Sequence, residues 1–219
     1  MAPVERLFFR SLPVPPGPAA VAADQRARML EAMTRVVVRK GYVHTTVADV
    51  VELAGVSRRT FYEQFTDKEA CFLAAYDTAA SAVLDDVAAA VRAHPGGGWR
   101  DRLRRALEAY TAVLAAEPEV ARLFLVDVLG AGTPAVDLRR TVLDRFVEQY
   151  RAMRTAAAGE DPELAEVPDA MLRALVGAIN ELVQEHIAAH GAATLPELTP
   201  TLLDVSHAIL ARARLHARG

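Results

Sequence analysis

The chain has 219 residues, of which 52% are hydrophobic and 24% are charged, a composition typical of a soluble globular protein. No apolar run reaches the roughly 18 residues that a membrane-spanning helix needs. The N-terminal stretch has Glu5 and several prolines where an export signal needs an apolar core. The single cysteine, Cys71, excludes an internal disulfide and a cysteine-cluster metal site. We therefore expect a cytoplasmic protein with no cofactor and no membrane partner.

The net charge of −3 is unevenly distributed along the chain. Residues 1–68 carry ten basic and seven acidic side chains, whereas residues 69–211 carry twelve basic and twenty-one acidic ones. A basic head on an acidic body indicates that any contact with nucleic acid is made by the head.

The first 18 residues are rich in proline and predict a flexible N-terminal arm over residues 1–18. Arg6 and Arg10 in this arm either belong to a disordered tail or enter a DNA minor groove. From about Ala19, apolar residues recur at helical spacing, and Gly41 marks the end of this first helix. The predicted buried face consists of Met29, Leu30, Met33, Val36 and Val37.

Two short helices follow, joined by the turn AGVS. Thr46 is suited to cap the first of them, with Asp49 three residues later, and Gly55 ends it. Ser57 is suited to cap the second. Two short helices joined by a tight turn containing glycine are typical of a helix-turn-helix. The predicted buried stripe of the first helix consists of Val47, Val50, Val51 and Ala54.

The second short helix, within VSRRTFYEQF, has two unlike faces. At about 100° per residue, Phe61 and Phe65 face the core, with Arg59 and Glu63 roughly opposite. In a helix-turn-helix, the start of the second helix enters the major groove, where arginine binds guanine O6 and N7. Arg58 and Arg59 therefore either read bases or lie on a solvated helix face. Glu63 either pairs with Arg59 or accepts a hydrogen bond from a cytosine N4.

The rest of the chain predicts helices alone. Thr66 and Glu69 have the spacing of a capping box at the start of a long helix that runs to HPGGG. The prediction is an all-α protein of about nine helices, with a helix-turn-helix DNA-binding domain over residues 19–66 and a larger helical domain over residues 67–219. Breaks at Pro118 and at segments rich in glycine and proline separate further helices at 99–117, 119–129, 134–158, 168–190 and 198–216.

The stretch TTVADVVELAGVSRRTFYEQFTDKEACF resembles the DNA-binding region of the TetR family of bacterial transcriptional regulators. The resemblance spans roughly residues 24–76, where the order, spacing and capping of the motif agree. Val51 departs from it where a smaller residue is expected, and the two arginines replace a small or glycine-containing pair, so the operator sequence cannot be borrowed. The resemblance implies phosphate contacts by Thr46, Tyr62 and Lys68, and places Ser57, Arg58, Arg59 and Thr60 against base edges or the DNA backbone.

The resemblance further implies that residues 67–219 form a ligand-binding and dimerisation domain, with a cavity for a small, largely apolar effector within residues 77–216. Each candidate lining residue is alternatively a core or a surface residue. His186 and His190 have the i, i+4 spacing of metal ligands but lack a third ligand, so no metal site is expected. The candidate effector-binding residues are Tyr110, Phe124, Asp127, Phe146, Tyr150, Asn180, Glu181 and Gln184.

The last two predicted helices carry broad apolar stripes, and Gly177 and Ala178 would let another helix approach closely. The resemblance implies that they pair with the same two helices of a second copy in a four-helix interface. The alternative is that the stripes complete the core of the chain itself. The predicted interface consists of Leu172, Leu175, Val176, Ile179, Val183, Leu202, Val205 and Ile209.

These features predict a ligand-responsive transcriptional repressor. It would bind a palindromic double-stranded DNA operator as a homodimer and be released by the effector. The alternative is a helical small-molecule-binding or scaffold protein whose helix-turn-helix does not bind DNA. No set of catalytic residues stands out in the sequence, so an enzyme is not expected.

Overall fold

The computed structural model describes residues 18–94, 96–126, 128, 131–157, 159–161, 164 and 167–211. Within these residues the protein consists of nine α-helices and one 3₁₀ helix, with no strand, so the all-α prediction is confirmed. The helices are α1 (Pro18–Lys40), α2 (Val47–Ala54), α3 (Arg58–Gln64), α4 (Lys68–Arg92), α5 (Trp99–Ala116), α6 (Pro118–Leu125), α7 (Thr133–Ala157), α8 (Asp169–His190), the 3₁₀ helix (Ala192–Leu198) and α9 (Thr199–Ala211).

The described residues form two compact units. The first comprises those up to Ala82 and those between 127 and 138, and the second comprises the remainder. This division differs from the predicted boundary after residue 66 because the start of α4 packs with the helix-turn-helix. The rings of Tyr42 and Phe72 are 4.8 Å apart, and the Cys71 Sγ lies 4.0 Å from the Met29 carbonyl oxygen.

The core of the first unit is built around α1. Its predicted apolar face is confirmed, since all five of its members are buried. The helix ends at Lys40, and Gly41 takes a left-handed φ of 79° that disfavours other residues. Pro18 is already helical, one residue earlier than predicted, and the rest of the predicted arm, with Arg6 and Arg10, lies outside the described residues.

The turn between α2 and α3 follows from local signals. Gly55 is left-handed (φ 64°, ψ 40°), and its N–H bonds back to the carbonyls of Glu52 and Val51, which closes α2. Within the predicted stripe of α2, Val50 and Ala54 are buried, whereas Val47 and Val51 are only half-buried.

The predicted cap of α4 is wrong by one residue. The helix begins at Lys68, and the Asp67 Oδ1 accepts from the Ala70 N at 2.7 Å, so Asp67 is the N-cap in place of Thr66. Asp67 stands directly before the first helical residue and therefore reaches the free N–H of the third one.

The second unit contains two corrections to the predicted breaks. Pro118 begins α6 instead of separating helices, because proline has no N–H to lose at the first helical position. The segment from Ala192 to Leu198 is a 3₁₀ helix. The predicted end of the last helix, beyond Ala211, lies outside the described residues.

The start of α5 is tied to the segment after α7. The Trp99 backbone N–H donates to Glu160 at 2.9 Å, and its indole N–H donates to Asp161 at 3.1 Å. The N-cap residue Gly98 has no side chain to accept a hydrogen bond at the start of α5. Glu160 takes that role for the Trp99 backbone N–H.

Candidate nucleic-acid interface

Helix α3 is held by two phenylalanines and an N-cap. Phe61 is fully buried at 0% exposure, and Phe65 is also buried, with the Arg26 guanidinium 4.5 Å from its ring centroid. The Ser57 Oγ accepts from the Thr60 N at 3.0 Å, which confirms Ser57 as the cap. Since one face of this seven-residue helix is fixed in the core, its opposite face is turned to solvent.

The two arginines of α3 differ in their surroundings. The Arg59 Nε donates to the Glu63 Oε1 at 3.0 Å, and the Arg59 side chain is 89% exposed. Arg58 is exposed too, but its side chain forms no hydrogen bond or ion pair within the described part of the chain. The sequence left open whether Glu63 pairs with Arg59. In the structure the two side chains form an ion pair.

The N-terminus of α2 is closed by Thr46 and Asp49. Thr46 is confirmed as the N-cap, since its Oγ1 accepts from the Asp49 N at 3.3 Å. The Asp49 carboxylate accepts from the Thr46 N at 2.8 Å, from the Thr46 hydroxyl and from the Lys40 Nζ. The hydrogen bond from Lys40, followed by those from Thr46, lowers the pKa of Asp49 to about 2. The Thr46 hydroxyl therefore already donates its proton within the chain.

Lys68 and Tyr62, the other predicted phosphate contacts, are placed differently. The half-buried Lys68 donates from its Nζ to the Tyr42 carbonyl at 2.9 Å and lies 4.3 Å from the centroid of the Tyr42 ring. Tyr62 is 57% exposed, and the edge of its ring packs against Phe61 at a centroid distance of 5.4 Å. Tyr62 is thus presented to solvent, whereas Lys68 has partners at the start of α4.

Sequence reasoning missed two supports of this surface. Lys40 pairs with Asp49 across nine residues, and Arg28 donates to the Ala54 carbonyl at 2.9 Å across 26 residues. Arg28 thereby satisfies a carbonyl at the end of α2, next to the turn. Neither pair has a local sequence signature. The last carbonyls of a helix do lack intrahelical partners, so a donor near the end of α2 could be expected.

Comparisons with known proteins agree with this geometry. The sequence model of the family described as "Bacterial regulatory proteins, tetR family" matches residues 29–75, the segment from the second half of α1 into α4. Over this segment, the sequence of the chain is similar to that of the TetR family.

Two regulators match a short part of the chain. The regulator TtgR from Pseudomonas putida is 43% identical over 47 residues, which are 22% of this chain and 22% of TtgR. The match therefore spans about a fifth of the length of that relative.

Solved structures extend the similarity in fold to most of the chain. FadR, a fatty acid degradation regulator from Bacillus halodurans, superposes with a TM-score of 0.71 at 15% identity, covering 90% of this chain and 97% of that one. FadR from Bacillus subtilis in complex with stearoyl-CoA gives a TM-score of 0.67 at 15% identity, covering 81% and 95%. The described residues thus have the all-α fold of TetR-family regulators.

The candidate effector-binding residues lie in different environments. The rings of Tyr110 and Phe146 are in contact at 5.7 Å. Burial raises the pKa of Tyr150 above its ordinary range, and the influence of the buried Ser206 opposes that rise. These three aromatic residues lie on α5 and α7, so the structure brings part of the candidate set together.

The candidates on α8 divide by exposure. Asn180 is buried, and the Gln184 Nε2 is buried without a hydrogen-bond partner among the described residues, whereas Glu181 is exposed. Asp127 and the side chain of Phe124 lie outside the described residues.

The predicted dimer residues lie mostly inside the chain. Only Val205 and Ile209 are half-buried and retain surface for another chain. The others offer little surface to a second copy, because α8 and α9 pack on elements of their own unit. The predicted interface residues buried within the chain are Leu172, Leu175, Val176, Ile179, Val183 and Leu202.

The described residues show neither a metal cluster nor a membrane-spanning helix. Among the described residues, no group of three or more metal-ligating side chains is present. His186 and His190 have ring centroids 5.0 Å apart, and the His186 Nε2 lies 2.9 Å from the Thr194 hydroxyl. None of the described helices has the length and apolar character needed to span a membrane.

Proposed function

We propose that the chain is a transcriptional repressor that binds a palindromic operator as a homodimer and is released by a small, largely apolar effector. Operator recognition is assigned to the outer face of α3 together with the N-termini of α2 and α4. The assigned residues are Thr46, Ser57, Arg58, Arg59, Thr60, Tyr62 and Lys68.

The observation that carries this proposal is the pair of exposed arginines at the start of an otherwise anchored helix. Ser57 and Phe61 fix α3 at its start and on its inner face, so Arg58 and Arg59 project from a rigid support. A guanidinium placed in the major groove donates two hydrogen bonds to guanine O6 and N7, and each such pair is worth about 1–3 kcal/mol of discrimination. Tyr62, exposed beside them, is suited to a phosphate.

The test is selection of duplexes from a random library by the full chain, followed by binding measurements on the preferred duplex. We expect Arg58→Ala and Arg59→Ala each to lose about tenfold or more in affinity for it, with relaxed preference at one base pair. Tyr62→Ala should weaken binding to all duplexes alike. Arg35→Ala is the matched control, because Arg35 is paired with Glu31 on α1. Full affinity and selectivity in all three α3 variants would overturn the proposal.

Release by an effector is the second part of the proposal. Its support is the polar groups inside the second unit, above all the unpartnered Gln184 Nε2, together with the aromatic contact between Tyr110 and Phe146. A ligand acceptor would satisfy that donor, and the aromatic rings suit an apolar body. That the Bacillus subtilis FadR structure holds stearoyl-CoA points in the same direction.

The effector proposal is tested by adding acyl-CoA thioesters and other apolar ligands to the complex of the chain with its selected duplex. We expect at least one of them to release the duplex and to raise the melting temperature of the free chain. Gln184→Leu should weaken the binding of that ligand. Glu181→Gln, at an exposed position about one turn earlier, should leave that binding unchanged. Release that is unaffected by Gln184→Leu would exclude Gln184 from the site.

Homodimerisation is the third part, and it would use the outer face of α8 together with Val205 and Ile209. Ala174 and Gly177 are exposed there, and a Cβ added to Gly177 meets nothing within 4 Å. Gly177→Arg should therefore leave the fold of one chain intact but prevent another helix from approaching. We expect sedimentation to give a dimer for the unmodified chain and a monomer for Gly177→Arg. A monomer in both would overturn this part.

A further inference from the structure

We propose that Glu63 is a specificity-determining residue of the α3 interface, acting through Arg59 as a positioning residue. This inference rests on the proposed DNA-binding function. Glu63 would have two effects. It orients the Arg59 guanidinium towards one base, and its negative charge lowers the affinity for non-specific duplexes, which are bound mainly through their phosphates.

The orientation follows from which nitrogen is bonded. Glu63 accepts from the Arg59 Nε at 3.0 Å, so one edge of the guanidinium is occupied and the two terminal nitrogens remain as a fork. Such a fork matches the O6 and N7 acceptors of guanine in the major groove. Because both residues lie on one rigid helix at i, i+4, the bond also removes rotamer freedom that Arg59 would otherwise lose on binding.

A structural role for the pair is small. The Arg59 and Glu63 side chains are 89% and 56% exposed, and an exposed ion pair of this spacing contributes little to stability. Arg58, the neighbouring cation, has no such partner within the described chain. The two arginines therefore differ: Arg59 is held in one direction, whereas Arg58 is free to follow phosphates or bases.

The effect on non-specific affinity follows from the neutrality of the ion pair. Arg59 with Glu63 carries no net charge, so this part of the surface gains little from a phosphate, which supplies most of the affinity for non-specific DNA. A guanine offers acceptors without a full charge, so it remains a good partner for the fork. The pair thus favours sequence-specific over non-specific binding.

Three variants separate the two effects. Glu63→Asp keeps the charge but is one methylene too short to hold the Arg59 Nε in the same way. Glu63→Gln removes the charge but keeps an oxygen acceptor at the same reach. Glu52→Gln is the charge control, because Glu52 is exposed on α2 and its side chain has no partner among the described residues.

The experiment uses the full chain, the duplex selected from the random library by the unmodified chain, and a random-sequence duplex of equal length. With Glu63→Asp, we expect about threefold to tenfold loss of discrimination at the base pair whose preference also depends on Arg59, with random-duplex affinity within about twofold. With Glu63→Gln, we expect random-duplex affinity to rise about twofold to fivefold beyond any rise with Glu52→Gln. The Arg59→Ala and Glu63→Ala changes should be non-additive at that base pair.

Two results would overturn the inference while leaving the proposed function standing. One is an unchanged base preference in both Glu63→Asp and Glu63→Ala while Arg59→Ala alters it. The other is full additivity of Glu63→Ala with Arg59→Ala, which would mean that Glu63 contacts a cytosine by itself. If the unmodified chain selects no duplex from the library, the proposed DNA-binding function is overturned, and the inference about Glu63 with it.

Discussion

The outer face of α3 and the apolar stripe of α8 are both surfaces that the sequence assigned to a partner. On α3, a seven-residue helix, the assigned arginines and Tyr62 are exposed. On α8, a 22-residue helix, every assigned residue is buried within the chain itself. The exposed face of a short, capped helix can therefore be predicted from the sequence, whereas an apolar stripe does not indicate whether its own chain or a second chain covers it.

The physical reason lies in what each pattern constrains. Two buried phenylalanines and one N-cap leave α3 no alternative rotation, so its polar face follows from its apolar one. The stripe of α8 needs only an apolar neighbour, and elements of the same unit meet that need. Four predictions test this contrast, in order of decreasing effect.

The largest effect is expected at the inner face of α3. Phe61→Ala should lower the free energy of unfolding by about 3–5 kcal/mol, because it empties a fully buried aromatic site. Urea unfolding followed by circular dichroism measures this. Tyr62→Ala, one residue along and 57% exposed, is the matched control and should cost less than about 1 kcal/mol. Equal losses for the two would mean that α3 does not have the rotation described.

The next effect tests the stripe of α8. Leu175→Ala should lower the free energy of unfolding by about 2–5 kcal/mol, because Leu175 is fully buried in the core of its own unit. The same urea titration applies, with Ala174→Ser, at the exposed neighbouring position, as the control. A loss below about 1 kcal/mol at Leu175 would contradict its place in that core and favour contact with a second chain.

A smaller effect is expected at the caps. Ser57→Ala should cost about 1 kcal/mol, because the Thr60 N–H at the start of α3 loses its acceptor. Thr66→Ala should cost less than about 0.5 kcal/mol, because Asp67 caps α4. Unfolding midpoints in urea compare the two variants. The reverse order would restore the capping role that the sequence assigned to Thr66.

The smallest effect concerns acid stability at the start of α2. The folded pKa of Asp49 is about 2, lowered by Lys40 and Thr46, against about 3.9 in an unfolded chain. Ionised Asp49 therefore stabilises the fold fully above about pH 4, and this contribution is lost as the pH falls from about 4 to about 2.

Asp49→Asn should make the melting temperature fall less steeply between about pH 5 and the acid limit of folding. Asp24→Asn is the control, because Asp24 is an exposed acid that pairs with Arg28 on α1 but, unlike Asp49, does not cap a helix. An NMR titration of the Asp49 carboxyl in the unmodified chain provides the direct measurement. A midpoint near the ordinary value of about 3.9 would show that the Lys40–Asp49 contact is not maintained in solution.

The sequence alone predicts the local features of the first unit: the caps Thr46 and Ser57, the end of α2 at Gly55 and the buried Phe61 and Phe65. These depend on residues within four positions of one another, where spacing along a helix fixes direction. It also determined that the chain is all-α, since apolar spacing and breaks rich in glycine and proline are local too.

Contacts between residues distant in the chain could be read from the folded protein but not from the sequence. Lys40 reaches Asp49, Arg28 reaches Ala54, and Lys68 reaches the Tyr42 carbonyl, none of them at a spacing that predicts contact. The burial of the α8 stripe and the inclusion of the start of α4 in the first unit were decided in the same way. Hydrophobic burial has no direction along the sequence, so which surfaces meet depends on the whole packed unit.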